Sequence, residues 1–251
     1  MRTAAAELLA RTLAGMPRAQ HSFLVSTGHL QPVSLDRVQD EDWLEHQIDL
    51  QAQRWPSVER RVLATLWWYS VSQVFLTPTV ASLFVTGRVL SPRPADVDLH
   101  CMPDGRILTA RSTEVLHGPD AVGLAAAALR DSLELAIPAV ASAGATRERP
   151  LWALATDSLA NRLLWLGRAS GSVDRATSLA ATLVERIGSP MPAPRYVDIE
   201  LPAPRAGMVR FVRRGSCCLI YLEPREAKCA SCPRMSPQSR EALLRAAADF
   251  I

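Results

Sequence analysis

Between Arg61 and Arg88 run 26 consecutive residues without a formal charge. A stretch of that kind has to be covered, either by lipid or by the rest of the protein. Its length suits a bilayer, which takes about 20 apolar residues. Its composition does not: Tyr69, Ser70, Ser72, Gln73, Thr77, Pro78, Thr79 and Ser82 make it polar for a lipid-facing helix. Pro78 removes a backbone donor and is expected to divide the run into two shorter pieces. The reading that follows is two buried core helices, at about 57–76 and 78–87, with a peripheral membrane contact still compatible. The amino terminus superficially resembles a signal peptide, but Glu7 and Arg11 interrupt its apolar run, so an amphipathic helix without a cleavable leader is expected.

Apolar residues recur at helical spacing at about 3–15 and 40–53, and again at 119–143, 151–168 and 173–187. Val97, Leu99 and Cys101 alternate with polar neighbours, Pro103-Asp104-Gly105 supplies turn chemistry, and Arg106 to Thr113 continues extended, which predicts a β-hairpin. Pro190, Pro192, Pro194, Pro202 and Pro204 then rule out helix and suit a linker or edge strand. Beyond them Tyr196 to Leu201 and Met208 to Arg213 read as short strands, and a last helix starts with Ser236 as N-cap and Pro237 at its first position. The predicted class is α+β. Residues 1–190 form a mainly helical region with a hairpin, and residues 191–251 a small unit of short strands and a terminal helix. That unit is too short to build much core, so metal ligation would supply a large part of its stability.

The metal follows from the cysteines. There are five in the chain, an odd number, and four of them, Cys217, Cys218, Cys229 and Cys232, spell CC-x10-C-x2-C. This pattern fits a reducing cytoplasm better than a disulfide framework. Four thiolates can hold a [2Fe–2S] cluster or a tetrahedral zinc ion, and unligated thiols are a third option. Side chains alternate along a straight strand, so Cys217 and Cys218 need a bend to share one centre, and Gly215-Ser216 is the expected place for it. The ten intervening residues span up to about 33 Å, so reach is not limiting. Structural zinc usually takes two spaced knuckles, and a vicinal pair is a poor one, so spacing leans toward iron. Charge leans the same way. Residues 201–251 carry eight Arg and one Lys against four acids, a net +5 within a chain of +3. Arg210, Arg213, Arg214, Arg225, Lys228 and Arg234 flank the thiols and would favour the reduced, more anionic state of a cluster, although about half should be a solvated face. The chain as a whole is too nearly neutral for nucleic-acid attraction.

Val212-Arg213-Arg214-Gly215-Ser216-Cys217-Cys218, followed by Cys229-Ala230-Ser231-Cys232, resembles the C-terminal signature of the FhuF-type ferric-siderophore reductases. The resemblance extends more weakly upstream through Trp67-Trp68, Gly105-Arg106 and the Leu151-Trp152 helix to Arg168. It implies that Cys217, Cys218, Cys229 and Cys232 each ligate a [2Fe–2S] cluster within 191–251. It also implies that the protein reduces siderophore-bound iron(III) in the cytoplasm, with the ferric siderophore as substrate and an external donor such as a ferredoxin recharging the cluster. Residues 1–190 would then be the siderophore-binding region. Neither G-x-G-x-x-G nor a Walker sequence occurs, so direct hydride uptake from a nucleotide is not expected. A zinc-stabilised interaction module and an iron–sulfur redox sensor are the alternative readings.

Other residues weigh less. Cys101, on the hairpin, reads as a small buried hydrophobe. His21, His29, His46, His100 and His117 share no ligand spacing. Trp67, Trp68, Trp152 and Trp165 could line a siderophore pocket but more often form core at such spacing. Asp157 and Ser158 look like half of a hydrolytic set without a G-x-S-x-G elbow, and no general base is assigned.

Overall fold

A computed structural model describes residues 3–25, 30–201 and 207–248 of the chain. Helix α1 (Ala4–Ala14), strand β1 (Gln31–Ser34), and helices α2 (Glu41–Arg54) and α3 (Arg60–Thr86) come first. Strands β2 (Val89–Leu90), β3 (Val97–Cys101), β4 (Ile107–Ser112) and β5 (Val115–Leu116) follow, then helices α4 (Ala121–Ala143), α5 (Glu148–Ala169) and α6 (Val173–Ile187). Strands β6 (Tyr196–Leu201) and β7 (Gly207–Val212) and helix α7 (Pro237–Ala247) complete the chain. The class is α+β, as expected. Pro202 and Pro204 of the expected linker, and His29, lie outside the described residues.

The charge-free run is one helix of 27 residues, not two, and Pro78 sits inside it. A proline forfeits one backbone bond, but a helix buried on both sides of it keeps its course because its packing persists. Every residue from Phe75 to Phe84 is buried. The polar residues that argued against lipid have partners inside the protein. Ser72 hydrogen-bonds Ser158 of α5 at 2.8 Å, Thr79 donates to the Leu90 carbonyl at 2.8 Å, and the Leu90 N–H donates to Ser82 at 2.9 Å. Among the described residues no helix is long and apolar enough to cross a membrane.

Helix α3 is the axis of the core, with α5, α2, α1 and α4 around it and β4 along one side. Trp67, Trp68 and Phe75 are fully buried on it, and Trp68 donates its indole N–H to the Leu151 carbonyl at 2.9 Å. Truncating any of these aromatics would cost about 3–5 kcal/mol. The end of α4 approaches α3 so closely that a Cβ on Gly144 would stand 2.2 Å from that of Ala64. The tryptophans expected to be core are core, with Trp165 half-buried and edge-on to Phe23.

The predicted hairpin is β3–β4, closed through Gly105 at φ +77°. Sequence reading missed its third strand, β1, which pairs antiparallel with β3 and puts Val33 opposite Leu99. In the C-terminal segment β6 pairs with β7, and Ser236 caps α7 by accepting the Ser239 N–H at 3.1 Å. Ile199, Phe211, Leu244 and Ala248 make its small core. Two further contacts tie the segment to the helices: Val212 packs on Ala160 and Leu164 of α5, and Cys218 on Val62 and Leu66 of α3.

Candidate metal centre

The loop after β7 carries Cys217 and Cys218 across the ends of α3 and α5. Its bend does not use Gly215, which has no positive φ. Leu219, just after the pair, takes the left-handed conformation at φ +66° and points its N–H at the Cys217 sulfur, 3.4 Å away. A leucine there costs about 1–2 kcal/mol, so the packing of Leu219 and Ile220 on α3 must hold it. Ten residues on, a tight turn closes with the Cys232 N–H donating to the Cys229 carbonyl at 2.9 Å.

The sulfurs come together as two pairs: those of Cys217 and Cys232 are 3.7 Å apart, and those of Cys218 and Cys229 share the Nη1 of Arg214, at 3.8 and 3.4 Å. Two sulfurs on one tetrahedral metal, with metal–sulfur bonds of about 2.3 Å, stand about 3.8 Å apart. Among the described residues no three Cys, His, Asp or Glu side chains surround a point that would hold a single ion. Two pairs of thiols are a donor set that a [2Fe–2S] cluster takes. Cys217, Cys218 and Cys232 are buried and Cys229 half-buried. Hydrogen bonds from Cys217 and Cys229, with Arg214 adding to them, hold the Cys218 thiol far below its ordinary range. Cys217 and Cys229 are pushed up, first by their hydrogen bonds to Cys218 and then by burial.

Arg214 is the cation at this centre. Only 3% exposed, it lays its guanidinium over the Tyr69 ring, 4.6 Å from the centroid, and directs Nη1 at the Cys229 and Cys218 sulfurs, 3.4 and 3.8 Å away. Burial opposes its charge, but Tyr69, Cys218, Cys229 and Asp157 outweigh that and leave its pKa raised. Its Nε and Nη2 have no hydrogen-bond partner. A buried guanidinium with two idle nitrogens beside four sulfurs fits an anionic iron–sulfur group, whose thiolates and sulfides are acceptors.

Asp157 anchors the loop from α5. It is 3% exposed and accepts the Gly215 N–H at 2.8 and 3.0 Å and the Ser216 N–H at 3.2 Å, while Arg214 Nε stands 3.7 Å from Oδ2, within ion-pair reach only. Burial lifts its pKa to about 6 against the pull of those donors. Buried Glu223 is a second anchor, accepting the Ser57 N–H at 3.3 Å from the link between α2 and α3. Sequence reading weighed Asp157 only as part of a hydrolytic pair and did not single out Glu223, because the partners lie 58 and 166 residues away. Ser158, fully buried against Ser72, is structural.

The other flanking cations behave as the solvated face expected of about half of them. Arg210 pairs with Asp198 and Asp174, Arg225 with Glu223, and Lys228 reaches a backbone carbonyl. Cys101 stands apart on β3, with burial raising its thiol to about 11. His100 is held by Thr109 and His21 by the Leu13 carbonyl.

No curated protein matches the chain. Residues 214–234, from the buried arginine through the last cysteine turn, match the family model of the FhuF 2Fe-2S C-terminal domain. The match covers 21 of the 251 residues, so it is the sulfur-bearing segment of this chain that is similar to the FhuF-type iron–sulfur domain.

Proposed function

We propose that this protein is a [2Fe–2S] ferric-siderophore reductase, with Cys217, Cys218, Cys229 and Cys232 as the cluster ligands. Residues 191–251 serve as the cluster-binding domain and 1–190 as the siderophore-binding region. The observation that carries this reading is the pairing of Cys217 with Cys232 beside Cys218 and Cys229, which meet at a buried, half-satisfied Arg214. When bound, a [2Fe–2S] cluster supplies single electrons at a potential that its surroundings set. One electron converts siderophore-held iron(III) to iron(II), which hard oxygen donors hold less firmly, and an external one-electron donor such as a reduced ferredoxin is oxidised in the same stoichiometry. No proton moves and no general base is required.

The chain's own residues prepare the site for this. Arg214 sets its positive charge against Cys218 and Cys229 and so favours the more anionic, reduced state. Asp157 and Glu223 fix the loop so that the sulfurs do not rearrange between the two states. Tyr69 and the α3 face exclude water behind the sulfurs, while Cys217 borders an open groove.

Protein purified without oxygen should be red-brown, with about two irons and two acid-labile sulfides per chain. After reduction by a one-electron donor it should release iron(II) from a ferric siderophore. Cys229→Ser should abolish the colour. One zinc per colourless chain would replace this reading with a zinc-stabilised module, and a cluster that never passes its electron to a ferric siderophore would replace it with a redox sensor.

A further inference from the structure

The cavity beside Cys217 has a volume of about 630 Å³ and is lined by Arg61, Arg147 and Arg234 together with Gly215, Ser216 and Cys217. That volume falls within the range of about 300–1,000 Å³ typical of small-molecule sites. Among the described residues no acidic one lines it. Arg61 is paired with Glu59 at 2.7 Å, but among the described residues Arg147 and Arg234 have no carboxylate within ion-pair distance. The wall at Thr146, Arg147 and Pro150 is the start of α5, whose N-cap Arg147 provides no side-chain cap, so the first N–H groups of a 22-residue helix add to the positive potential, offset in part by the exposed Glu148 of the first turn. Gly215 also borders a second cavity, lined by Arg149, Arg195 and Arg213. Arginines thus stand on both sides of the turn that carries the cysteines.

We propose that the cavity beside Cys217 docks a ferric chelate of net negative charge, gripped by Arg147 and Arg234. This deepens the reductase reading and rests on it. Iron(III) bound by three catecholates is a trianion, whereas three hydroxamates give a neutral complex. A cavity with unpaired guanidinium groups and no carboxylate selects the former class, the hydroxycarboxylates included. Concavity argues for a small chelate over an acidic protein, whose docking would need a broad face of about 800 Å². The place suits the chemistry as well: Cys217 forms part of the wall, so the chelate sits against a sulfur of the centre and no buried path has to be crossed.

The test separates binding from reduction by using gallium(III), which matches iron(III) in charge and is not reduced. Cluster-loaded protein is dialysed to equilibrium against the gallium complex of a hexadentate tris-catechol and, separately, that of a hexadentate tris-hydroxamate. The trianion should bind about tenfold more tightly at low salt, a preference that should shrink at high salt. The double variant Arg147→Ser/Arg234→Ser should lose about tenfold for the trianion and little for the neutral complex. Arg88→Ser, beyond the far end of the 27-residue α3, should bind as the parent does. Equal affinity for both complexes, or a double variant that binds the trianion undiminished, overturns the proposal. So does a double variant in which only electron uptake from a ferredoxin slows, since the face would then dock an acidic protein. If the trianion binds as expected and the matching ferric complex is never reduced, the anion site stands and the reductase reading fails.

Discussion

Asp157→Ala removes a side chain that ties the cysteine loop to α5, and its cost can be worked from three contacts. The Gly215 and Ser216 N–H groups, now 2.8 and 3.2 Å from the carboxylate, would lose their acceptor. Both donors are only part-buried, so each costs about 1 kcal/mol, the low end of the range for a lost acceptor. Arg214, 3.7 Å from Oδ2, would lose its compensating charge, and breaking a buried pair from one side costs about 3–5 kcal/mol. These contributions overlap, because the same carboxylate serves all three, so we expect about 4 kcal/mol in total. That is a large share of the roughly 5–15 kcal/mol that holds a typical domain. Asp157→Asn keeps one acceptor for Gly215 but turns a donor toward Ser216, and should cost about half as much. The assay is anaerobic urea titration followed at the visible cluster band and by far-ultraviolet circular dichroism, with iron per chain measured before denaturant. The alanine variant should lose the visible signal at clearly lower urea than the helical signal and should be purified with less iron. If it carries full iron and both transitions stay within about 0.5 kcal/mol of the parent, Asp157 is not the anchor and the account of the loop is wrong.

Arg214→Gln should lower the midpoint potential, because the reduced state gains negative charge; one charge at about 5 Å and an effective dielectric constant near 20 is worth about 3 kcal/mol, and partial cancellation by Asp157 leaves about 50–100 mV. Potentiometric titration followed by electron paramagnetic resonance reads it, and an unchanged or raised potential contradicts the assignment. Asp157 titrates near pH 6 in the folded chain against about 3.9 unfolded, so the folded state holds its proton more tightly. Its contribution to stability is therefore fully present below about pH 4 and lost as pH rises through 6. The stability curve of Asp157→Asn should be flatter across that window, and equal slopes would contradict the shift. Cys101→Ala should leave iron content and potential unchanged, and Cys101, with its thiol near 11, should resist alkylation at pH 7.5 by the native protein.

The sequence made some of this legible because the signals are local. Helix α6 was read to the residue, since its alternation of apolar and charged positions has an unbroken helical period and no competing turn signal. Ser236-Pro237 marked α7 because a cap and a first-turn proline act on their own neighbours. The errors have the opposite origin. Pro78 was read as a break because propensity counts only the lost backbone bond, whereas the outcome was decided by α4, α5 and β2 packing around α3. Strand β1 escaped notice because four residues carry too little alternation, and its pairing with β3 is long-range. At the candidate centre the cysteines were legible as a spacing, but which of the neighbouring cations meets the sulfurs was not. Arg213 and Arg214 are indistinguishable in sequence, and only the fold buries Arg214, against Tyr69 and Asp157, and leaves Arg213 in solvent.

That last distinction bears on how much of a redox site a short motif can hold. The matched segment spans residues 214–234, yet the contacts that tie it to the rest of the protein come from well outside it: Asp157 from α5, Tyr69 from α3, Ser57 from the turn between α2 and α3. Four thiols alone specify that a metal can bind. The potential and rigidity of the site depend on a buried cation, and a cation survives burial only where an aromatic face, a carboxylate and the sulfurs themselves surround it. The helical region has to supply the first two of these. The 26 residues without charge that run along α3 therefore do more than fill a core, because they carry Tyr69, Val62 and Leu66 to the back of the cysteine loop. Burial on that side leaves Cys217 bordered by the groove of Arg147 and Arg234, so the packing that protects the sulfurs also sets the side on which the proposed chelate would meet them.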